Sequence, residues 1–154
     1  MLFRSVQEIP DSEKFVALRK ITMLDELDDA EIWEMVHAGH WRRAPSQSTI
    51  MREDEPGDSI FFLAAGSVKV TKMGRLLNVV NAGEYFGEMA YVKAGSIPRQ
   101  ATVESITELL LAEFPMASLD KLSRKCQLQL ALVLLHTLVD RLVFADQRIA
   151  RTVS

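Results

Sequence analysis

The chain has 154 residues, 48% of them apolar and 25% charged, with a net charge of −3. That length suits one domain, and the composition excludes a disordered or fibrous chain. The weak negative charge gives no electrostatic reason for nucleic-acid or anionic-membrane binding, and the lone Cys126 excludes a disulfide framework or a cysteine-built zinc site.

Residues 11–40 are helical in pattern. The segment before them has no apolar core of signal-peptide length. Asp11 or Ser12 is placed to cap a first helix carrying Phe15, Leu18 and Ile21. A second helix is better marked. Asp28 and Glu31 have capping-box spacing, Ile32, Met35 and Val36 form its apolar stripe, and Gly39 is its expected stop.

Residues 42–114 read as strands, with Gly and Pro recurring at short intervals. Ser59-Ile60-Phe61-Phe62-Leu63 is one strand. Ser67–Lys72 alternates as a half-buried strand should, and Met73-Gly74 turns it into Leu76–Val80. Ala101–Ile106 and Leu109–Phe114 are expected to form a further pair. Short strands at regular spacing imply an antiparallel barrel or sandwich. Residues 116–150 return to helix behind Pro115. They carry one stripe of Leu128, Leu132, Leu135, Val139 and Leu142, and another of Leu130, Ala131, Leu134, Leu138 and Ala145. The barrel can cover only one of these. The most apolar run, residues 128–139, is too short to span a bilayer.

The chemistry concentrates in Gly83-Glu84-Tyr85-Phe86-Gly87-Glu88-Met89-Ala90 and Pro98-Arg99-Gln100-Ala101-Thr102. Gly87 permits backbone geometry that other residues resist. A helical turn starting at Glu88 offers free N–H groups to an anion. Arg99 can grip a phosphate through two parallel hydrogen bonds, and Glu88 can accept from a sugar hydroxyl. The bland reading is an ordinary turn beside a surface ion pair.

These two segments resemble the phosphate-binding cassette of cyclic nucleotide-binding domains. Glu55-Pro56-Gly57-Asp58-Ser59-Ile60-Phe61-Phe62-Leu63 and Gly66-Ser67-Val68-Lys69-Val70 are similar to that family's early hairpins. The resemblance covers residues 20–145. It implies an α+β fold over residues 1–154: an antiparallel, jelly-roll-like β-roll flanked by N-terminal helices and a long C-terminal helix. It also implies that Arg99 binds the cyclic phosphate and Glu88 the ribose 2′-hydroxyl. Gly87, Met89 and Ala90 contribute backbone groups, with Gln100 and Ala101 beside them. Gln100 stands where the family more often has Ala, Ser or Thr. The loop from Glu88 to Arg99 is slightly longer than in the kinase regulatory subunits.

The expected function is therefore a non-catalytic cytoplasmic module. It binds a cyclic nucleotide, cAMP in preference to cGMP, and signals through its C-terminal helix. A homodimer through residues 128–143 is expected, with an effector domain elsewhere and no DNA-binding domain, membrane contact, metal or cofactor. The alternative is a degenerate relative used for docking or dimerisation without ligand. His37 and His40 lack a third ligand and read as a packing or surface pair. Trp33 and Trp41 read as packing residues, and Cys126 as a buried small hydrophobe.

Overall fold

The computed structural model describes residues 8–153. Helix α1 spans Asp11–Arg19, a 3-10 turn follows at Thr22–Leu24, and α2 spans Asp29–Ala38. The capping box of α2 forms as its spacing requires: Glu31 N–H donates to Asp28, and the Glu31 carboxylate accepts from Asp28 N–H, both at 2.8 Å. Ile32, Met35 and Val36 are buried. The cap of α1 differs from expectation. Pro10 is its N-cap and makes no side-chain bond, so Asp11 and Glu13 sit in the first turn, where they favour the helix dipole. Gly39 does end α2, but in extended backbone rather than a left-handed turn. Its small size serves packing, since a Cβ there would lie 3.0 Å from the Phe114 ring.

The strands are β1 (His40–Ala44), β2 (Thr49–Met51), β3 (Ile60–Ala65), β4 (Ser67–Lys72), β5 (Arg75–Asn81), β6 (Tyr85–Phe86), β7 (Thr102–Ser105) and β8 (Leu109–Phe114). They form two antiparallel sheets, ordered β1-β8-β3-β6 and β2-β7-β4-β5. The expected pairing of β7 with β8 is not made. β7 pairs with β2 and β4, and β8 with β1 and β3, so the two consecutive strands lie in opposite sheets. Their connection at Ile106–Glu108 crosses between layers instead of closing a hairpin. Only β4 and β5 keep a hairpin of the expected kind, turned by Met73 and Gly74, both at positive φ.

Two apolar layers result. Phe61, Leu63, Val68, Val80, Phe86, Val103, Leu109 and Leu111 fill the space between the sheets. Ile60, Phe62, Ala112 and Phe114 point the other way, onto the helices. β3 and β8 are thus covered on both faces, which is why each reads as a continuous apolar run rather than an alternating one.

The expected single helix over 116–150 is broken. α4 spans Met116–Leu119 and α5 spans Arg124–Val153. Ser123 causes the restart, because its Oγ accepts from Cys126 N–H at 3.2 Å as an N-cap does. Glu34 of α2 in turn holds Ser123 through its N–H at 2.7 Å and its hydroxyl at 2.9 Å. Cys126, Leu130 and Val133 are buried against the helical layer. Burial pushes the Cys126 thiol up to about 12, so it stays an uncharged packing group. Leu128, Leu132, Leu135, Val139 and Leu142 are exposed, and so is every described side chain of α5 from Leu138 onward. Only the early part of the second stripe meets the roll. Over Arg124–Arg151 the helix is long and apolar enough, by length and composition, to cross a membrane, which a reading of residues 128–139 alone did not show.

Among the described residues no group of three His, Cys, Asp or Glu side chains could hold a metal. His37 stacks on Trp33 at 5.9 Å and faces Asp11 at 3.5 Å, and Trp33 stacks on Phe15 at 4.6 Å. Trp41 packs against the helical core.

Candidate functional site

β6 ends at Phe86, and the chain turns through Gly87 into the five-residue helix α3, Glu88–Val92. Gly87 is the N-cap at φ +85°, and a Cβ there would lie 2.9 Å from the Ser59 carbonyl and 3.1 Å from Arg99 Nη1. Both the conformation and the space demand glycine. The first-turn N–H groups of α3 have no acceptor within the helix.

Arg99 arrives from the other direction, on the segment leading into β7. Its backbone is clamped: Arg99 N–H donates to Glu55 O and its carbonyl accepts from Asp54 N–H, both at 2.8 Å. The side chain is only 5% exposed. Nη1 donates to Ser59 O at 2.9 Å and to Gly87 O at 3.2 Å, and the guanidinium lies 5.6 Å from the Phe61 ring centre. Gly57 makes room for it, since a Cβ there would lie 2.5 Å from Arg99 Nε. Burial pulls the Arg99 pKa down, opposed by the fields of Glu113, Asp58 and Glu88 in that order. Glu113 is fixed nearby, accepting from the Ser59 hydroxyl at 2.7 Å. Among the described residues no carboxylate forms an ion pair with Arg99. The cation is therefore held by neutral carbonyls, and desolvation favours an anion beside it.

Glu88 is tied to the long helix. Its Oε1 accepts from Arg141 Nη1 at 2.9 Å, and the Arg141 guanidinium lies 5.0 Å from the ring centre of buried Tyr85. Burial raises the Tyr85 pKa.

These groups open onto one pocket of about 330 Å³ between the cassette and the β2-β7-β4-β5 sheet. Of the seven residues expected from the sequence, Gly87, Glu88, Met89, Arg99, Gln100 and Ala101 line it. Ala90 is the third residue of α3, and its side chain lies outside the described residues. Gln100 turns aside, its Nε2 donating to Pro98 O at 2.9 Å. The sequence reading missed Lys72, Asn78, Tyr85 and Arg141, which also line the pocket. Alternation along β4 and β5 carried a signal for Lys72 and Asn78, which follow the period of Val70 and Val80. Asp140-Arg141 carried one too, as the charged pair interrupting an apolar run from Leu128 to Phe144. The charged lining is Lys72, Arg99 and Arg141 against Glu88 alone, so a pocket suited to an anion sits in a chain of negative net charge.

Residues 41–126, more than half of the chain, match the cyclic nucleotide-binding domain family. The chain belongs to that family. Its cassette helix, two-sheet roll and long terminal helix are those of a cyclic nucleotide-binding β-roll. The chain is 33% identical over 95 residues to the cGMP-dependent protein kinase egl-4 of Caenorhabditis elegans, covering 62% of this chain and 12% of the kinase. It is 33% identical over 98 residues to the cAMP-dependent protein kinase regulatory subunit of Debaryomyces hansenii, covering 63% of this chain and 20% of the subunit. The chain thus spans a fifth or less of these relatives. The solved regulatory domain of Toxoplasma gondii PKA with cAMP superposes with a TM-score of 0.67 at 26% identity, over 79% of this chain and 48% of that one.

Proposed function

We propose that this chain is a non-catalytic sensor, folded as one domain over residues 1–154, that binds a cyclic nucleotide in the cassette pocket and reports it through α5. The carrying observation is Arg99: a buried guanidinium at the pocket wall, held by two neutral carbonyls and, among the described residues, by no carboxylate. A cyclic phosphate supplies the missing anion, and two parallel N–H···O bonds suit its geometry. Backbone groups of Gly87, Met89 and Ala90 line the same place, with Gln100 and Ala101 alongside. The cAMP-bound Toxoplasma relative supports this reading. Calorimetric titration with cAMP and with cGMP tests it, and heat from neither would end it.

Glu88 selects the ribose in this reading. Its carboxylate accepts from the 2′-hydroxyl, a charged-partner bond of roughly 1.5–3 kcal/mol. Glu88→Ala is expected to weaken binding by about that amount, and 2′-deoxy cyclic nucleotides to bind the wild type equally poorly. A deoxy ligand as tight as its parent would give Glu88 another role.

The same carboxylate is the link to the helix. Glu88 holds Arg141 across 53 residues of sequence. A ligand that engages Glu88 changes what Arg141 meets, so it has different affinity for different placements of α5, as a switch requires. The exposed stripe of α5 supplies the second half of the output. Leu128, Leu132, Leu135, Val139 and Leu142 are spaced four, three, four and three apart, the period of a coiled-coil seam. Leu135 is 52% and Leu142 56% exposed, a patch that soluble chains seldom leave uncovered. A homodimer through residues 128–143 covers it, in a cytoplasmic protein whose effector lies in another domain or partner. A monomer in sedimentation at high concentration would remove the dimer. Unchanged hydrogen exchange over residues 128–150 with saturating nucleotide would remove the switch.

A further inference from the structure

With phosphate on Arg99 and ribose on Glu88, the base extends over the faces of β4 and β5. There the pocket is lined by Lys72 and Asn78. Asn78 is the direct partner of Val70, and Lys72 stands two residues further along β4, so both share the pocket-facing side of the sheet. Lys72 has no hydrogen bond or ion pair among the described residues, and an ammonium can only donate. Asn78 carries a donor as well. β5 is an edge strand, and the N–H of Val79 is taken up by Asn78 Oδ1 at 2.8 Å. That bond uses one of the amide oxygen's two lone pairs and leaves the NH₂ group free to face a ligand.

The two purines differ at the edge these donors meet. Guanine presents O6 and N7, both acceptors, whereas adenine presents N7 and an amino group that donates. Two donors match guanine, and adenine's amino group would meet the Lys72 ammonium, which cannot accept from it. Gln100 does not reverse this. Its Nε2 is committed to Pro98 O, and its free oxygen suits an N–H of either base.

We propose that the pocket reads the 6-oxo edge of guanine through Lys72 and Asn78, so that cGMP is its preferred ligand. The proposal rests on the cyclic-nucleotide reading of the site and departs from the cAMP preference expected from the sequence. The experiment is calorimetric titration of the whole chain with cGMP, cAMP and inosine 3′,5′-cyclic monophosphate, which keeps O6 and N7 but lacks the 2-amino group. The expected result is that cGMP and the inosine nucleotide both bind about tenfold or more tighter than cAMP, the scale of one well-made base contact. Lys72→Met removes the donors and keeps the stem. It is expected to close most of the gap between cGMP and cAMP, because the lost charge acts on both anions alike while the lost donors act on guanine alone. Lys72 is exposed, so this variant leaves the core intact.

Three results would overturn the proposal: cAMP binding at least as tightly as cGMP, a cGMP preference surviving in Lys72→Met, or weak binding of the inosine nucleotide, which would move the reading to the 2-amino group. Binding of neither purine nucleotide would overturn the cyclic-nucleotide reading itself. Binding of cAMP alone would leave that reading standing and end only this one.

Discussion

Replacing Arg99 with alanine is expected to weaken cyclic-nucleotide binding by about 2–5 kcal/mol, the usual cost of truncating one partner of a buried charge pair. The folded state should tolerate the change. Removing a buried cation with no ion-pair partner relieves a desolvation cost, which offsets the two hydrogen bonds lost at Ser59 O and Gly87 O. The thermal midpoint without ligand is expected to stay close to that of the wild type, while the increase produced by nucleotide disappears. Arg99→Lys separates charge from shape. It keeps the cation but loses the planar fork, so its affinity should fall between the two. Full affinity in Arg99→Ala, measured by calorimetry, would take Arg99 out of the site.

The largest stability effect is expected at Gly66, where the chain passes from β3 in one sheet to β4 in the other. Gly66 has φ +93°, and a Cβ there would lie 2.2 Å from the Glu108 carbonyl and 2.8 Å from both Leu109 Cδ2 and Thr107 Oγ1. The carbonyl belongs to backbone that leads straight into β8, so it cannot step aside. Gly66→Ala combines left-handed strain with this overlap and is expected to cost about 3 kcal/mol or more. Gly74 is the control: its φ is +78°, but nothing lies within 4 Å of a Cβ there. Gly74→Ala should cost only the conformational strain, about 1–2 kcal/mol. Denaturant unfolding of both variants measures the difference. Equal costs would show that the crossing at Gly66 is not tightly packed.

What the sequence made legible was local. The Asp28–Glu31 capping box is a short-range geometry and formed as read. Val68 and Val80, opposite each other across the β4–β5 hairpin, are the buried members of an alternating pattern, and the turn at Met73-Gly74 fixes their register. The cassette was legible because its residues fall within two short segments, and the pocket does bring Glu88 and Arg99 together. What stayed hidden was non-local. Whether β7 turns back on β8 or crosses to the other sheet depends on partners more than 30 residues away, and periodicity carries no record of them. The break before α5 was missed for a related reason. Ser123 is an ordinary polar residue until Glu34 of α2 holds it. Arg141 was read only as part of an apolar helix, because its partner Glu88 lies on another element. The fit of Arg99 against Gly57 likewise becomes visible only once the strands are in place.

The strand order sets how this chain must fold. β3, the apolar Ile60–Ala65, lies between β8 and β6 in its sheet, and β1 has only β8 as a neighbour. His40 pairs with Glu113, and Ile60 with Phe114. Until the last strand arrives, β1 has no sheet to join, and Ile60-Phe61-Phe62-Leu63 presents an unpaired edge. Such long-range closures are slow, on the order of milliseconds to seconds for folds dominated by non-local strand pairing. A ribosome adding roughly 5–20 residues per second takes several seconds to pass from β3 to β8. During that interval the hydrophobic edge that later becomes the centre of the sheet is open to other chains. The vulnerable period of this domain therefore falls during its synthesis, and it ends when Leu109–Phe114 emerges and inserts between β1 and β3.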